Sequence, residues 1–186
     1  HRDLHSFPTR RSSDLLVAES STLVQLLDAG ISVAGVNYRF SHQCSDRILG
    51  SLMDIARFVQ HIRHHASDYN LDKDRVAAYG GSAGGAASLW LACHDDLADP
   101  NSGDPVARES SRLTCAGAMA TPSTLDLRQW QTTLGLTEGL LLRAARSFGI
   151  PDLAEFESPE GVRFRAARSE ERRVGEGCRS RWETCH

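Results

Sequence analysis

Apolar positions in the middle of the chain alternate between helical spacing and short continuous runs. Within residues 20–30 the apolar side chains recur at helical spacing, at Leu23, Val24 and Leu27, and Gly30 is placed to end that helix. Residues 31–39, ISVAGVNYR, are β-branched and largely apolar on both faces. That composition predicts a strand buried in a parallel sheet.

The same alternation continues to residue 120. Residues 46–70 predict an amphipathic helix whose inner face carries Leu49, Leu52, Ile55, Val59 and Ile62. Its charged side chains are expected mostly on the outer faces, at Asp54, Arg57 and Arg63. The pattern then predicts a strand at 75–79, a helix at Ala83–Cys93 and a strand at 113–120. Strands that alternate with helices predict an α/β fold with a parallel sheet flanked by helices.

The two ends of the chain lack this alternation. Residues 1–15 and 168–186 have neither helical nor strand periodicity, and both resemble translated sequencing-adapter read-through. The alternative is a pair of natural disordered tails. We therefore expect the native core at residues 16–167 and exclude both ends from the fold prediction. Within that core, residues 124–165 look helical in places, with a break at 149–151, and are a candidate cap or insertion.

Composition excludes some classes of function. The chain has 186 residues, which suits one domain, with 40% hydrophobic residues and a formal net charge of -3. It has no basic excess of the kind that binds nucleic acid, so a nucleic-acid partner is not expected. No apolar run approaches the roughly 18 residues that a membrane span needs. These features indicate a soluble globular protein.

One glycine-rich stretch carries candidate chemistry. Gly80-Gly81-Ser82-Ala83-Gly84 fits the G-x-S-x-G pattern, with a further glycine at Gly85, between a predicted strand and a predicted helix. This is the context of a nucleophile elbow, in which a tight turn exposes the serine hydroxyl. Glycines at 80 and 84 are expected to let strand and helix pack closely. A phosphate-binding loop would need a lysine, and a dinucleotide fingerprint would need a different glycine spacing.

The similarity extends beyond the pentapeptide. GISVAGVNYRF, then an amphipathic helix, then YNLDKDRVAAYGGSAGG resembles α/β-hydrolases of the esterase/lipase group, in the hormone-sensitive-lipase-like and feruloyl- or acetyl-esterase-like branch. The resemblance covers about residues 20–120 and implies a carboxylic-ester hydrolase whose partner is a small-molecule ester substrate and which needs no cofactor. It implies that Ser82 is the nucleophile and that the amide of Ala83 is an oxyanion donor. One departure is Gly81, where many members carry an acidic residue.

Other parts of the family pattern are not matched. Members carry an H-G-G-G segment upstream, and a triad acid and histidine downstream of the serine. His94 lies twelve residues after Ser82 on the same predicted helix, about 18 Å away at 1.5 Å per residue. We therefore expect a nearly inert fragment of a serine esterase, whose sheet lacks N- and C-terminal strands. Because a family strand is missing beside residues 31–39, unpaired edges and aggregation are expected.

Two other functions remain open. A non-catalytic α/β-hydrolase-like binding protein would also lack the histidine, and a prolyl-oligopeptidase-type serine peptidase also uses G-x-S-x-G-G. No metal site is expected. The spacing of His61, His64 and His65 could serve a metal, but further ligands are missing and the three lie at a polar helix end. Arg39, after Tyr38, is expected to pair with a carboxylate rather than to contact substrate.

Overall fold

The computed structural model describes residues 21–46, 48–121, 127–147 and 152. The predicted non-native ends, residues 1–15 and 168–186, lie outside these ranges. The chain divides into two compact units, His1–Asn37 and Tyr38–His186, which are described separately. None of the described helices is long and apolar enough to cross a membrane.

The first unit contains helix α1, Ser21–Asp28. The helix ends in a Schellman motif, in which the amide of Ile31 donates to the carbonyl of Leu26 and that of Gly30 to Leu27, both at 2.9 Å. Gly30 adopts φ +75°, a left-handed conformation that favours glycine. The prediction that this helix ends at Gly30 is confirmed.

The strand predicted at residues 31–39 does not form. Residues 31–40 belong to neither helix nor strand, and the side chains of Ile31 and Val33 are 51% and 38% exposed. A strand is stabilised by ladder hydrogen bonds to a neighbour, so apolar composition alone does not produce one. The prediction of a buried strand here was wrong.

In the second unit, helix α2 spans Ile48–His64, strand β1 Ala77–Gly81 and helix α3 Ala83–Cys93. Strand β2 follows at Cys115–Met119, and helices α4 and α5 span Leu127–Leu134 and Glu138–Ser147. Short 3-10 turns lie at Ser41–Gln43 and Val106–Arg108. The bounds of α3 are those predicted, and α4 and α5 confirm helical structure within 124–165. The predicted break at 149–151 lies outside the described residues.

The core of this unit forms where α2 packs against α3. Buried apolar residues come from both helices: Leu52, Ala56, Val59, Ala86, Ala87, Trp90 and Leu91. The predicted inner face of α2 is thereby confirmed at Leu52 and Val59. Small residues on α3 let that helix approach α2, β1 and β2 closely. The helix therefore contacts both strands of the sheet as well as α2.

Strands β1 and β2 pair in parallel, with Ala77 opposite Cys115 and Gly81 opposite Met119. Helix α3 is the crossover between them, which gives the βαβ unit that the sequence predicts. Strand β1 begins two residues later than predicted. A strand in a parallel sheet is normally covered on both faces, but Tyr79 is 72% exposed, and Met119 on β2 is 58% exposed. Among the described residues, only one face of this sheet is covered.

Two arginines hold loops onto α2. Arg39 donates from Nε and Nη2 to the Asp54 carboxylate at 2.9 and 2.6 Å, which confirms a carboxylate partner for Arg39. Arg63 was predicted on the outer face but is only 8% exposed. Its guanidinium donates to the carbonyls of Lys73 and Arg112, in the segments that lead into β1 and β2. A long side chain can reach such carbonyls from within the packed layer, which amphipathic spacing does not reveal.

Candidate active site

Ser82 occupies the single residue between β1 and α3. Its backbone adopts φ 51° and ψ -117°, a region that L-residues rarely occupy. A strained backbone of this kind persists only where the surrounding structure holds it, and such positions are concentrated at functional sites. The sharp turn predicted around Ser82 is therefore present.

Three hydrogen bonds fix the backbone of Ser82. Its amide donates to the carbonyl of Met119 at 2.9 Å. Its carbonyl accepts from the Thr121 hydroxyl at 2.9 Å and from the Ala86 amide at 3.0 Å. Met119 is the last residue of β2 and Thr121 lies two residues after it, so the end of the neighbouring strand holds the turn from one side and α3 from the other.

The glycines around Ser82 have different steric roles. A Cβ on Gly80 would lie 2.3 Å from the backbone carbon of Gly84, so no side chain fits there. A Cβ on Gly85 would lie 2.8 Å from the Gly80 carbonyl oxygen and 2.9 Å from the Thr121 Cβ. A Cβ on Gly84 would meet nothing within 4 Å, and one on Gly81 would make ordinary contacts. The prediction of close packing holds at Gly80. At Gly84 the prediction was wrong, since the second position without room for a side chain is Gly85.

The Ser82 side chain is exposed and forms no hydrogen bond with the first turn of α3. The first bond across that turn is donated by Ala86, so the amides of Ala83, Gly84 and Gly85 have no acceptor within the helix. These amides and the helix dipole make the region beside Ser82 favourable for negative charge. The arrangement is suited to stabilising an oxyanion next to a hydroxyl nucleophile.

No histidine within the described ranges is placed to act on Ser82. His94 is the C-cap of α3, at the opposite end of the helix from Ser82. Its Nδ1 lies 2.8 Å from the carbonyl oxygen of Asp95, and its ring centroid lies 4.3 Å from that of Trp90. His94 therefore lies at the far end of the helix, away from Ser82, as its spacing predicts.

The three histidines whose spacing could serve a metal, His61, His64 and His65, are engaged in local contacts. His65 Nδ1 lies 2.9 Å from Asp68, and its ring centroid lies 4.4 Å from that of His61 and 4.8 Å from that of His64. Burial opposes the charged form of Asp96, but hydrogen bonds from Ser110, Ser111 and Ala98 outweigh it and lower the pKa of that carboxyl. In the part of the chain that the structure describes, no three histidine, cysteine, aspartate or glutamate side chains are grouped to hold a metal ion.

Thr121 is the site residue that the sequence did not single out. It follows β2 and lies 39 positions after Ser82 along the chain, so no local motif joins the two. Ala120 beside it has φ 48°, which gives this strand end a second non-glycine residue of positive φ close to Ser82. A hydroxyl residue just after a strand is too common a pattern to have indicated this contact.

The chain is similar to known ester hydrolases. A family model named BD-FAE matches residues 11–137, which is more than half of the chain. Among solved structures, an acetyl ester-xyloside bifunctional hydrolase from Caldicellulosiruptor lactoaceticus is similar, with 26% sequence identity and a TM-score of 0.51. The similarity covers 62% of this chain and 40% of that one, so the chain spans less than half the length of this relative. None of the curated proteins compared with the chain shows significant similarity to it.

Proposed function

Since the chain belongs to the BD-FAE family, an esterase family of the α/β-hydrolase group, we propose that it carries the nucleophile of a serine carboxylic-ester hydrolase. Ser82 is the nucleophile, and the Ala83 amide is one donor of the oxyanion hole. Gly80, Gly81, Gly84 and Gly85 complete the nucleophile elbow. The observation that carries the proposal is the strained Ser82 backbone between β1 and α3, beside helix amides that lack an acceptor within the helix.

The proposed reaction forms an acyl-enzyme on Ser82 and then hydrolyses it. The Ser82 Oγ attacks the ester carbonyl carbon and passes its proton to a histidine base, while the carbonyl oxygen becomes an oxyanion next to the Ala83 amide. Collapse of the tetrahedral intermediate breaks the bond to the alcohol oxygen, which takes up that proton, and leaves an acyl group on Ser82. Water then attacks the acyl-enzyme, the acid is released, and the serine regains its proton.

The general base belongs, in this proposal, to the remainder of a longer protein. The chain spans 40% of the similar hydrolase, and no described histidine forms a hydrogen bond with Ser82. A serine hydroxyl without its base is a weak nucleophile, so the chain as given should hydrolyse esters very slowly. No cofactor takes part in these steps.

The first test is to re-sequence the source DNA through both ends of the reading frame and to express the complete protein. The complete protein should hydrolyse p-nitrophenyl acetate, a small acetyl ester. Ser82→Ala should lower kcat by at least about a thousandfold, because the attacking group is lost. Ser88→Ala is the matched control. The Ser88 hydroxyl is buried within α3 and donates to the Gly84 carbonyl at 2.9 Å. Ser88→Ala should retain most of the activity.

Three outcomes would contradict the proposal. Equal hydrolysis by the parent protein and Ser82→Ala would place the reaction elsewhere. A complete protein with no esterase activity would favour the non-catalytic binding function, whereas cleavage of peptides in preference to esters would favour the peptidase.

A further inference from the structure

The carboxyl ends of β1 and β2 are joined by two hydrogen bonds that run in opposite directions. The Ser82 amide donates to Met119, and the Thr121 hydroxyl donates to the Ser82 carbonyl, each at 2.9 Å. We propose that Thr121 is a positioning residue that aims the Ala83 amide at the developing oxyanion. This inference rests on the proposed function of Ser82 and Ala83.

The argument depends on the geometry of one peptide group. The carbonyl of Ser82 and the amide of Ala83 belong to the same planar unit, in which the C=O and N–H bonds point in opposite directions. A donor that holds the Ser82 carbonyl oxygen therefore also fixes the direction of the Ala83 N–H. Thr121 provides such a donor from the β2 side, and Ala86 provides the second from within α3.

The position of Thr121 is itself restricted. Its Cβ would lie 2.9 Å from a Cβ on Gly85, so the threonine occupies the space that the missing glycine side chain leaves. Thr121 is half-buried, and a β-branched side chain has few rotamers available. The hydroxyl is thus held towards the Ser82 carbonyl by packing as well as by the hydrogen bond.

This role has a kinetic signature. The oxyanion forms only during the reaction, so a misdirected Ala83 amide weakens the transition state more than the bound ester. Loss of the Thr121 hydroxyl should therefore lower kcat and leave KM nearly unchanged. A residue that only stabilised the fold would not produce this division.

Thr121→Val in the complete protein tests the inference, because it replaces the hydroxyl by a methyl group of similar shape. We expect kcat for p-nitrophenyl acetate to fall about tenfold, less than the loss of a whole oxyanion donor, with KM within about twofold. Thr121→Ser, which keeps the hydroxyl, should recover most of kcat. The control is Thr114→Val, since the Thr114 hydroxyl donates to the Asp74 carbonyl at 3.0 Å near the opposite end of β2. Thr114→Val should retain kcat.

The outcomes separate this inference from the proposed function. If Ser82→Ala is inactive while Thr121→Val keeps full kcat, the role of Thr121 is wrong and the nucleophile stands. If Thr114→Val lowers kcat as much as Thr121→Val, the effect is general destabilisation and the inference is also overturned. If Ser82→Ala remains active, the proposed function itself fails. Should Thr121→Val not fold, Thr121→Ser and Thr121→Ala give the same contrast of hydroxyl against none.

Discussion

Gly84 and Gly85 are adjacent in the sequence, yet they differ in the space around them. Gly85 lies between the Gly80 carbonyl and Thr121, whereas the position of a Cβ on Gly84 is open. Both lie in the first turn of α3, which begins at Ala83, so helix propensity favours alanine at either site by up to about 1 kcal/mol. Only packing distinguishes them, which makes them a matched pair.

We predict that Gly85→Ala lowers the free energy of unfolding by more than about 2 kcal/mol, because its Cβ would overlap the Gly80 carbonyl and Thr121. Gly84→Ala should leave that free energy unchanged or raise it by up to about 1 kcal/mol. Urea unfolding followed by circular dichroism measures both. Equal effects of the two substitutions would show that β1 and α3 do not approach as closely as this structure has them.

At this scale the sequence could predict the sharp turn at Ser82 but not the residues that hold it. G-x-S-x-G is a local pattern of five residues, and the strained φ of 51° occurs where that pattern has its serine. The contacts from Met119 and Thr121 depend on the parallel register of two strands that lie far apart in the sequence. Register is set by the packed structure, so spacing within one strand does not reveal it.

Among the elements, helix α2 has the inner face that the sequence predicts, and its carboxyl end carries a cluster of histidines. Its last turn contains His61, Arg63 and His64, and His65 follows directly. Partial desolvation lowers the pKa of His61, although its side chain is exposed, and the nearby charges of His65, His64 and Arg57 lower it further. The folded chain therefore holds a proton on His61 less readily than the unfolded chain, in which histidine titrates near 6.5.

The sign of the resulting pH dependence follows from linkage. Below pH 6.5 the unfolded state takes up the His61 proton before the folded state does, so stability falls as pH decreases below about 6.5, by a small amount because solvent screens this exposed group. His61→Gln should flatten this slope in urea midpoints measured across that range. A parent slope that His61→Gln does not reduce would contradict the prediction.

The elements also show why one strand prediction was wrong while a helix was predicted to the residue. Helix α3 satisfies its own backbone and begins at the turn that the glycines create, so its bounds are local properties. A strand needs a partner strand. Residues 31–39 take no part in the ladder of hydrogen bonds that joins β1 to β2. Apolar composition predicted the tendency to form a strand but could not supply the neighbour.

At the scale of the whole molecule, the described residues form a sheet of two strands, and the chain covers 40% of the length of the similar hydrolase. A parallel sheet normally has both faces covered, yet Tyr79 and Met119 remain 72% and 58% exposed. Residues 31–39 are β-branched, nearly uncharged and without proline, which is the composition of an aggregation-prone segment. We therefore expect the chain as given to self-associate through this segment.

Val33→Lys should slow the growth of thioflavin T fluorescence and light scattering, because a charge within residues 31–39 opposes strand stacking. Val24→Lys on α1 is the control, since Val24 is 56% exposed and Val33 38%, so the control removes at least as exposed an apolar side chain. Each substitution brings the net charge of -3 one unit nearer zero, which by itself favours association. Slower aggregation in Val33→Lys alone would therefore assign the effect to the unpaired segment. Equal slowing in both variants would assign it to exposed apolar surface in general, and the strand-stacking argument would fail.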